Sequence, residues 1–139
     1  MAYWLFKSEP DVFSWDDLVA KGDAGEPWDG VRNYQARNNM RAMKVGDRGF
    51  FYHSNATRDV VGIVEVVAPA AQDPSTDDPR WECVTIKAVV PMATPFTLDR
   101  AKLEPALADM VLVNNSRLSV QPVSDAEWDF ICAAGGVRG

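Results

Sequence analysis

The chain has 139 residues, 47% of them hydrophobic and 24% charged, and a net charge of −6. That balance suits one folded domain over residues 1–139 with one core, and it excludes a disordered segment. Its apolar runs, such as Val60 to Val64, fall far below the roughly 18 residues of a spanning helix, and the N-terminus lacks the basic and long apolar stretches of a secretory signal. The expectation is a cytoplasmic protein with no membrane partner. Cys83 and Cys132 stand far apart without CxxC spacing, which argues against a disulfide framework or zinc site and reads as two small core residues.

An acidic chain taken as a whole is a poor partner for phosphates, but the charge is segregated. Residues 32–59 hold Arg32, Arg37, Arg41, Lys44, Arg48 and Arg58 against Asp47 and Asp59, a net of +4 that leaves −10 for the remainder. Such an island can touch phosphates over a limited footprint. It can equally be a solvated face, since Arg37 and Arg41 lie four apart on a predicted helix.

In chain order, the aromatic-rich residues 2–7 predict a first strand. Ser14 and Asp17 form a capping-box pattern for a short helix that stops at Gly22. Asn33 to Met43 predicts a second helix, with Ala36, Met40 and Met43 on one buried stripe. Three strands follow over Asp47–Ser54, Val60–Val67 and Trp81–Val90, with Gln72–Pro79 as an acidic surface loop. Thr97 to Leu107 reads as helical turns broken at Pro105, and Asn114 to Ser116 as a turn. Leu118–Val123 is a last strand, and Ser124 with Glu127 caps a final helix ending near Gly135. Strands distant in sequence with helices between them predict an α+β fold, a curved mixed sheet or small barrel with peripheral helices. No glycine-rich phosphate loop is present.

Two segments mix residue types that packing alone does not call for. In Trp28 to Asn38, Gly30 allows a turn, a helix start offers unpaired N–H groups, and Arg32 can fork onto a phosphate; Asn33 also suits a plain N-cap. In Phe50 to Asn55, alternation sends Phe51, His53 and Asn55 to one face and Phe50, Tyr52 and Ser54 to the other, which puts aromatic faces and hydrogen-bonding edges at a sheet rim. Trp4, Trp15, Trp81 and Trp128 read as core, and Trp28 as the tryptophan beside a pocket. His53, the sole histidine, has no nucleophile or second acid near it in sequence, and Ser54 points the other way. No catalytic or metal constellation is therefore expected, and no cofactor.

The runs Tyr-Trp-Leu-Phe-Lys-Ser-Glu-Pro at 3–10, Phe-Ser-Trp-Asp-Asp-Leu at 13–18, Trp-Asp-Gly-Val-Arg-Asn-Tyr-Gln-Ala-Arg-Asn at 28–38, Lys-Val-Gly-Asp at 44–47, Phe-Tyr-His-Ser-Asn at 51–55 and Arg-Leu-Ser-Val-Gln-Pro-Val at 117–123 resemble the EVE domain family over residues 3 to 131. The resemblance implies a PUA-like fold, related to the YTH and ASCH modules, that binds nucleic acid carrying a modified cytosine or adenine, DNA or RNA. It maps a base pocket onto Lys7, Ser8, Trp28, Val31, Arg32, Asn33, Tyr34, Tyr52, His53, Ser54, Leu118 and Ser119, not all of which can point inward.

In this reading a base leaves its stack, stacks on Trp28 or Tyr52, and has its edge read by Asn33 and Ser8, while Val31 and Leu118 wall a methyl group. Arg32, Arg37, Arg41 and Lys44 would engage flanking phosphates. The expected protein is a monomeric, non-catalytic module. An enzyme or small-molecule binder acting on a modified nucleoside, and a protein-interaction domain, remain the competing classes.

Overall fold

The computed structural model describes every residue except Ala56 and Ser116. The elements run β1 (Tyr3–Ser8), α1 (Trp15–Ala20), β2 (Glu26–Pro27), α2 (Tyr34–Ala42), β3 (Arg48–His53), β4 (Asp59–Gln72), β5 (Glu82–Thr97), α3 (Leu98–Leu103), α4 (Val111–Asn114), β6 (Val120–Val123) and α5 (Asp125–Gly135). Short 3-10 turns occupy Gly22–Ala24 and Pro105–Leu107.

The strands form one mixed sheet in the order β2-β5-β4-β3-β1-β6. It is open, with β2 and β6 at its edges, so of the two expected forms the curved sheet is observed and the closed barrel is not. β1 and β3 run parallel with Lys7 opposite Tyr52 and Ser8 opposite His53. The other pairings are antiparallel.

Both faces of the sheet are covered, which is why its central strands read as nearly continuous apolar runs. Trp4, Phe6, Phe51 and Val64 turn to one side, where Trp15 and Leu18 of α1 and Ala36 and Met40 of α2 pack on them. Leu5, Phe50, Tyr52 and Ile63 turn to the other, against Leu98 and Ala101 of α3, Leu112 of α4, and Trp128 and Ile131 of α5. The period-two alternation expected for β3 is thus the one observed. Cys83 and Cys132 are buried, one in each cluster, and burial pushes each thiol up to about 11.

Helix ends follow their caps. Ser14 and Ser124 each accept from the backbone N–H three residues on, and Asp17 and Glu127 accept from the cap's own N–H. The N-terminus of α1 has a further partner from outside the helix. The backbone N–H of Trp15 donates to Nε2 of His53 at 3.0 Å, which ties α1 to the end of β3 and requires the imidazole to be unprotonated at that nitrogen. Asp47, buried in the turn before β3, accepts from Nε1 of Trp4 at 3.1 Å and from the N–H of Lys44 at 3.0 Å.

The structure departs from expectation in five places. β4 and β5 extend well beyond Val67 and Val90; Pro69 and Pro95 fall at register shifts, where the ladder demands no hydrogen bond from them. The last strand starts at Val120, with Leu118 buried ahead of it. β2 and α4, of two and four residues, are too short to show a period. The Gln72–Pro79 loop is anchored by a buried residue, Asp73, 1% exposed. Asn114 ends α4 and donates through Nδ2 to the carbonyl of Ala108, whereas Ser116 of the expected turn lies outside the described residues.

Gly62 of β4 lies against the six-membered ring of Trp15, and a methyl group added at Gly62 would overlap its Cη2, Cζ3 and Cζ2 atoms. Gly62→Ala is therefore expected to lower stability by about 1–3 kcal/mol through overpacking, read as a shift in the urea midpoint. Burial lowers the pKa of His53, partly opposed by Asp59 and Asp16, which raise it. A folded-state pKa below the unfolded value means that stability is complete above about pH 6.5 and declines as the pH falls through that value. Urea midpoints at pH 7.5 and 5 should therefore differ more in the wild type than in His53→Asn; equal pH dependence in both would rule out His53 as the titrating cap.

Candidate functional site

A cleft of about 540 Å³ lies beside the end of β1. Its apolar lining is Val12, Phe13, Pro27, Trp28 and Val31; its polar lining is Lys7, Ser8, Glu9, Glu26, Asp29, Arg32 and Ser119, with Gly30 at the turn. Four segments converge to make it: the end of β1 and the turn after it, β2 and its continuation to Arg32, and the residue preceding β6. The N–H of Lys7 donates to the carbonyl of Ser119 at 2.9 Å and closes one side.

Trp28 is only 8% exposed. The edges and faces of Phe6, Phe13 and Phe51 meet it at 5.7, 6.1 and 5.7 Å in T-shaped contacts, so it is both core and lining. Its N–H bonds the carbonyl of Val84 at 2.8 Å, which fixes the backbone on which the next residues turn. These contacts enclose most of the ring of Trp28, a residue that also lines the cleft.

The wall from Gly30 to Arg32 is pinned by Asp73. The carboxylate of Asp73 accepts from the N–H of Gly30 at 2.9 Å, from Nη1 of Arg32 at 3.1 Å, and from both the N–H and hydroxyl of Ser75. Burial alone would raise the pKa of this carboxyl; the donors from Ser75, Gly30 and Arg32 outweigh it and hold the group below the ordinary carboxylate range. Gly30 sits at φ +79°, a left-handed conformation that glycine adopts without the penalty of a side chain.

The structure gathers Lys7, Ser8, Trp28, Val31, Arg32 and Ser119 of the twelve expected pocket residues in this cleft. The other six lie elsewhere, each for a physical reason. Asn33 is the N-cap of α2, accepting from the N–H of Ala36 at 2.9 Å. Tyr34 is half exposed on the surface and stacks on Trp81 at 4.9 Å. Tyr52 is on the opposite face of the sheet, where burial pushes its phenol up to about 12. His53 caps α1, and Leu118 is buried in the core. Ser54 lines a second, smaller depression.

Among the four expected phosphate-binding residues, three are engaged within the fold. Arg32 bonds Asp73 and Ser75 and lies 5.3 Å from the Trp81 ring. Arg37 donates to the carbonyl of Arg80 at 2.9 Å and lies over the Tyr34 ring at 4.8 Å. Arg41 pairs with Glu82. Lys44 is exposed in the turn after α2. Much of the basic island is thus neutralised by acids from other segments.

Sequence reasoning passed over Glu9, Val12, Phe13, Glu26, Pro27, Asp29 and Gly30 as lining. Glu9, Phe13, Asp29 and Gly30 sit inside the sequence runs that carry the family resemblance, so a signal for them existed. Glu26 and Pro27 are placed only by their pairing with Ile86 and Thr85. Among the described residues, no three His, Cys, Asp or Glu side chains come together to hold a metal ion.

Comparison with known proteins bears on this arrangement. The sequence matches the EVE domain over residues 2–134. It is 39% identical over 161 residues to thymocyte nuclear protein 1 of Mus musculus, covering 93% of this chain and 71% of that one. A crystal structure of a protein from Agrobacterium tumefaciens superposes with a TM-score of 0.97 at 55% identity, covering 99% of this chain and 94% of the other. The human THYN1 protein in complex with 5-methylcytosine-containing DNA superposes with a TM-score of 0.90 at 35% identity, covering 100% of each chain.

A YTH domain of Zygosaccharomyces rouxii solved with N6-methyladenosine RNA reaches a TM-score of 0.55 at 18% identity over 96% of this chain and 86% of its own, a likeness of fold alone. The open mixed sheet with helices on both faces is the PUA-like architecture shared by these structures. With the EVE domain matched over residues 2–134 and a relative 39% identical over 93% of its length, the chain belongs to the EVE domain family.

Proposed function

We propose that the protein is a non-catalytic reader that takes one modified base of a nucleic acid into the cleft beside β1. The observation that carries the reading is the cleft itself: the well-packed Trp28, apolar side chains and several acceptors and donors line one volume of about 540 Å³, within the range of small-ligand sites. The complex of the human relative with 5-methylcytosine DNA supports it.

The chemistry of the lining favours a base with an exocyclic amino group. Glu9, Glu26 and Asp29 supply acceptors for the amine of a cytosine or adenine, and Lys7 and Arg32 supply donors for a ring nitrogen or carbonyl. A uracil or thymine would set a carbonyl where these carboxylates lie. Val12, Phe13 and Val31 offer apolar surface to an added methyl, worth about 1–3 kcal/mol. Extruding the base costs a few kcal/mol and is offset by roughly 1–3 kcal/mol from contact with the aromatic lining. The sole histidine is occupied in capping α1, which leaves no imidazole in the cleft to act as a general base.

Trp28 belongs to the core, so its removal would perturb folding, and Glu9→Gln with Asp29→Asn makes the better test. Fluorescence titration of short oligonucleotides should show the wild type preferring a modified over a plain cytosine or adenine by roughly five- to a hundredfold. The double variant should lose about tenfold in affinity for the preferred base with an unchanged urea midpoint. Equally weak, steeply salt-dependent binding of every oligonucleotide would sink the reading and assign the cleft to another ligand.

A further inference from the structure

A phosphodiester cannot follow its base into a cleft edged by Glu9, Glu26 and Asp29 without meeting like charge. A strand whose base is held there needs a neighbouring place of opposite sign. On the far side of Lys7, which lines both concavities, lies a second cavity of about 290 Å³. Lys7, Arg58 and Lys102 line it, together with Ser54, Asn55, Tyr52 and Leu98. No carboxylate lines it among the described residues. Two acids outside its lining act electrostatically on Tyr52: Asp59, which is buried and accepts from the hydroxyl of Thr57 at 2.6 Å, and Asp99.

The fold holds these groups in place. The ammonium of Lys7 lies 5.7 Å from the centre of the Tyr52 ring, and partial burial lowers its pKa, a cost that a bound anion would offset. Asn55 and Arg58 both take left-handed backbone, at φ +71° and +50°. The carbonyl of Arg58 accepts from the N–H of Leu98 at 2.8 Å, and the N–H of Ser54 donates to the carbonyl of Ser8 at 2.9 Å. Three cations with a serine and an asparagine lining one concavity offer the charge and donors that an oxyanion takes.

We propose that this second cavity is the seat of the phosphodiester next to the base bound in the main cleft, a proposal that rests on the base-reading function above. Arg58 and Lys102 are exposed and outside the main cleft, so R58Q/K102Q is expected to fold as the wild type does. Its affinity for the preferred modified oligonucleotide should fall roughly tenfold, and the slope of log affinity against log salt should become shallower by about one. Its affinity for the modified nucleoside, which has no phosphate, should not change.

If the wild type binds the oligonucleotide and R58Q/K102Q matches it in affinity and slope, the phosphate seat is overturned while the base reading stands. If the wild type binds no oligonucleotide, both fall. A parallel titration with inorganic phosphate, followed through the backbone amides of Ser54, Asn55 and Leu98, separates the sources. Saturation by free phosphate that a bound oligonucleotide does not displace would overturn the strand assignment in favour of a free anion.

Discussion

The buried carboxylate of Asp73 is the interaction on which the cleft depends. It stands in the loop between β4 and β5, and its bonds reach back to Gly30 and Arg32, 43 and 41 residues earlier. Removing one partner of such a network leaves buried donors unsatisfied, at a cost of about 1–3 kcal/mol each. Its bonds to Gly30 and Arg32 hold the chain after Trp28 against the loop between β4 and β5. Arg32 in turn lies against Trp81, on which Tyr34 stacks. One carboxylate therefore orders the cleft wall, the start of α2 and the surface aromatic pair together.

This arrangement changes what the arginines mean. A guanidinium in a sequence is a charge available to any anion, whereas in the fold Arg32 and Arg41 are already paired with carboxylates and Arg37 is committed to a carbonyl and an aromatic face. The positive island between residues 32 and 59 thereby becomes a means of attaching α2 and its neighbours to acidic segments. Arg58, the last cation of the island, is the one that turns toward a cavity with Lys7 and Lys102. Electrostatic roles were thus redistributed by tertiary contacts that linear spacing does not encode.

What was legible in the sequence was local. The Ser14/Asp17 and Ser124/Glu127 boxes specified two helix starts, Asn33 a third, and alternation through Phe50 to Asn55 assigned each side chain of β3 to its face. That alternation already separated Tyr52 and Ser54 from Phe51, and the pocket mapped from family resemblance drew on both faces while allowing that not all of its residues point inward. Illegible were the features set by distant partners. Nothing near Asp73 in sequence announces its burial, and nothing near His53 announces that its ring nitrogen would receive the amide of Trp15. β2 is two residues long and exists because β5 pairs with it; Glu26 and Pro27 reach the cleft by that route alone.

The first strand of the chain lies in the sheet between β3, its parallel neighbour, and β6, near the other end of the sequence. Every hydrogen bond on the β6 side closes a loop of more than a hundred residues, and the contact between Lys7 and Ser119 at the cleft is one of these closures. Long-range closures are entropically costly and slow the approach to the native state. During synthesis the first strand must wait, unpaired on that edge, until the sixth has left the ribosome. The cleft is accordingly among the last parts of the molecule to exist, and a chain interrupted before residue 119 would lack the residues that close it.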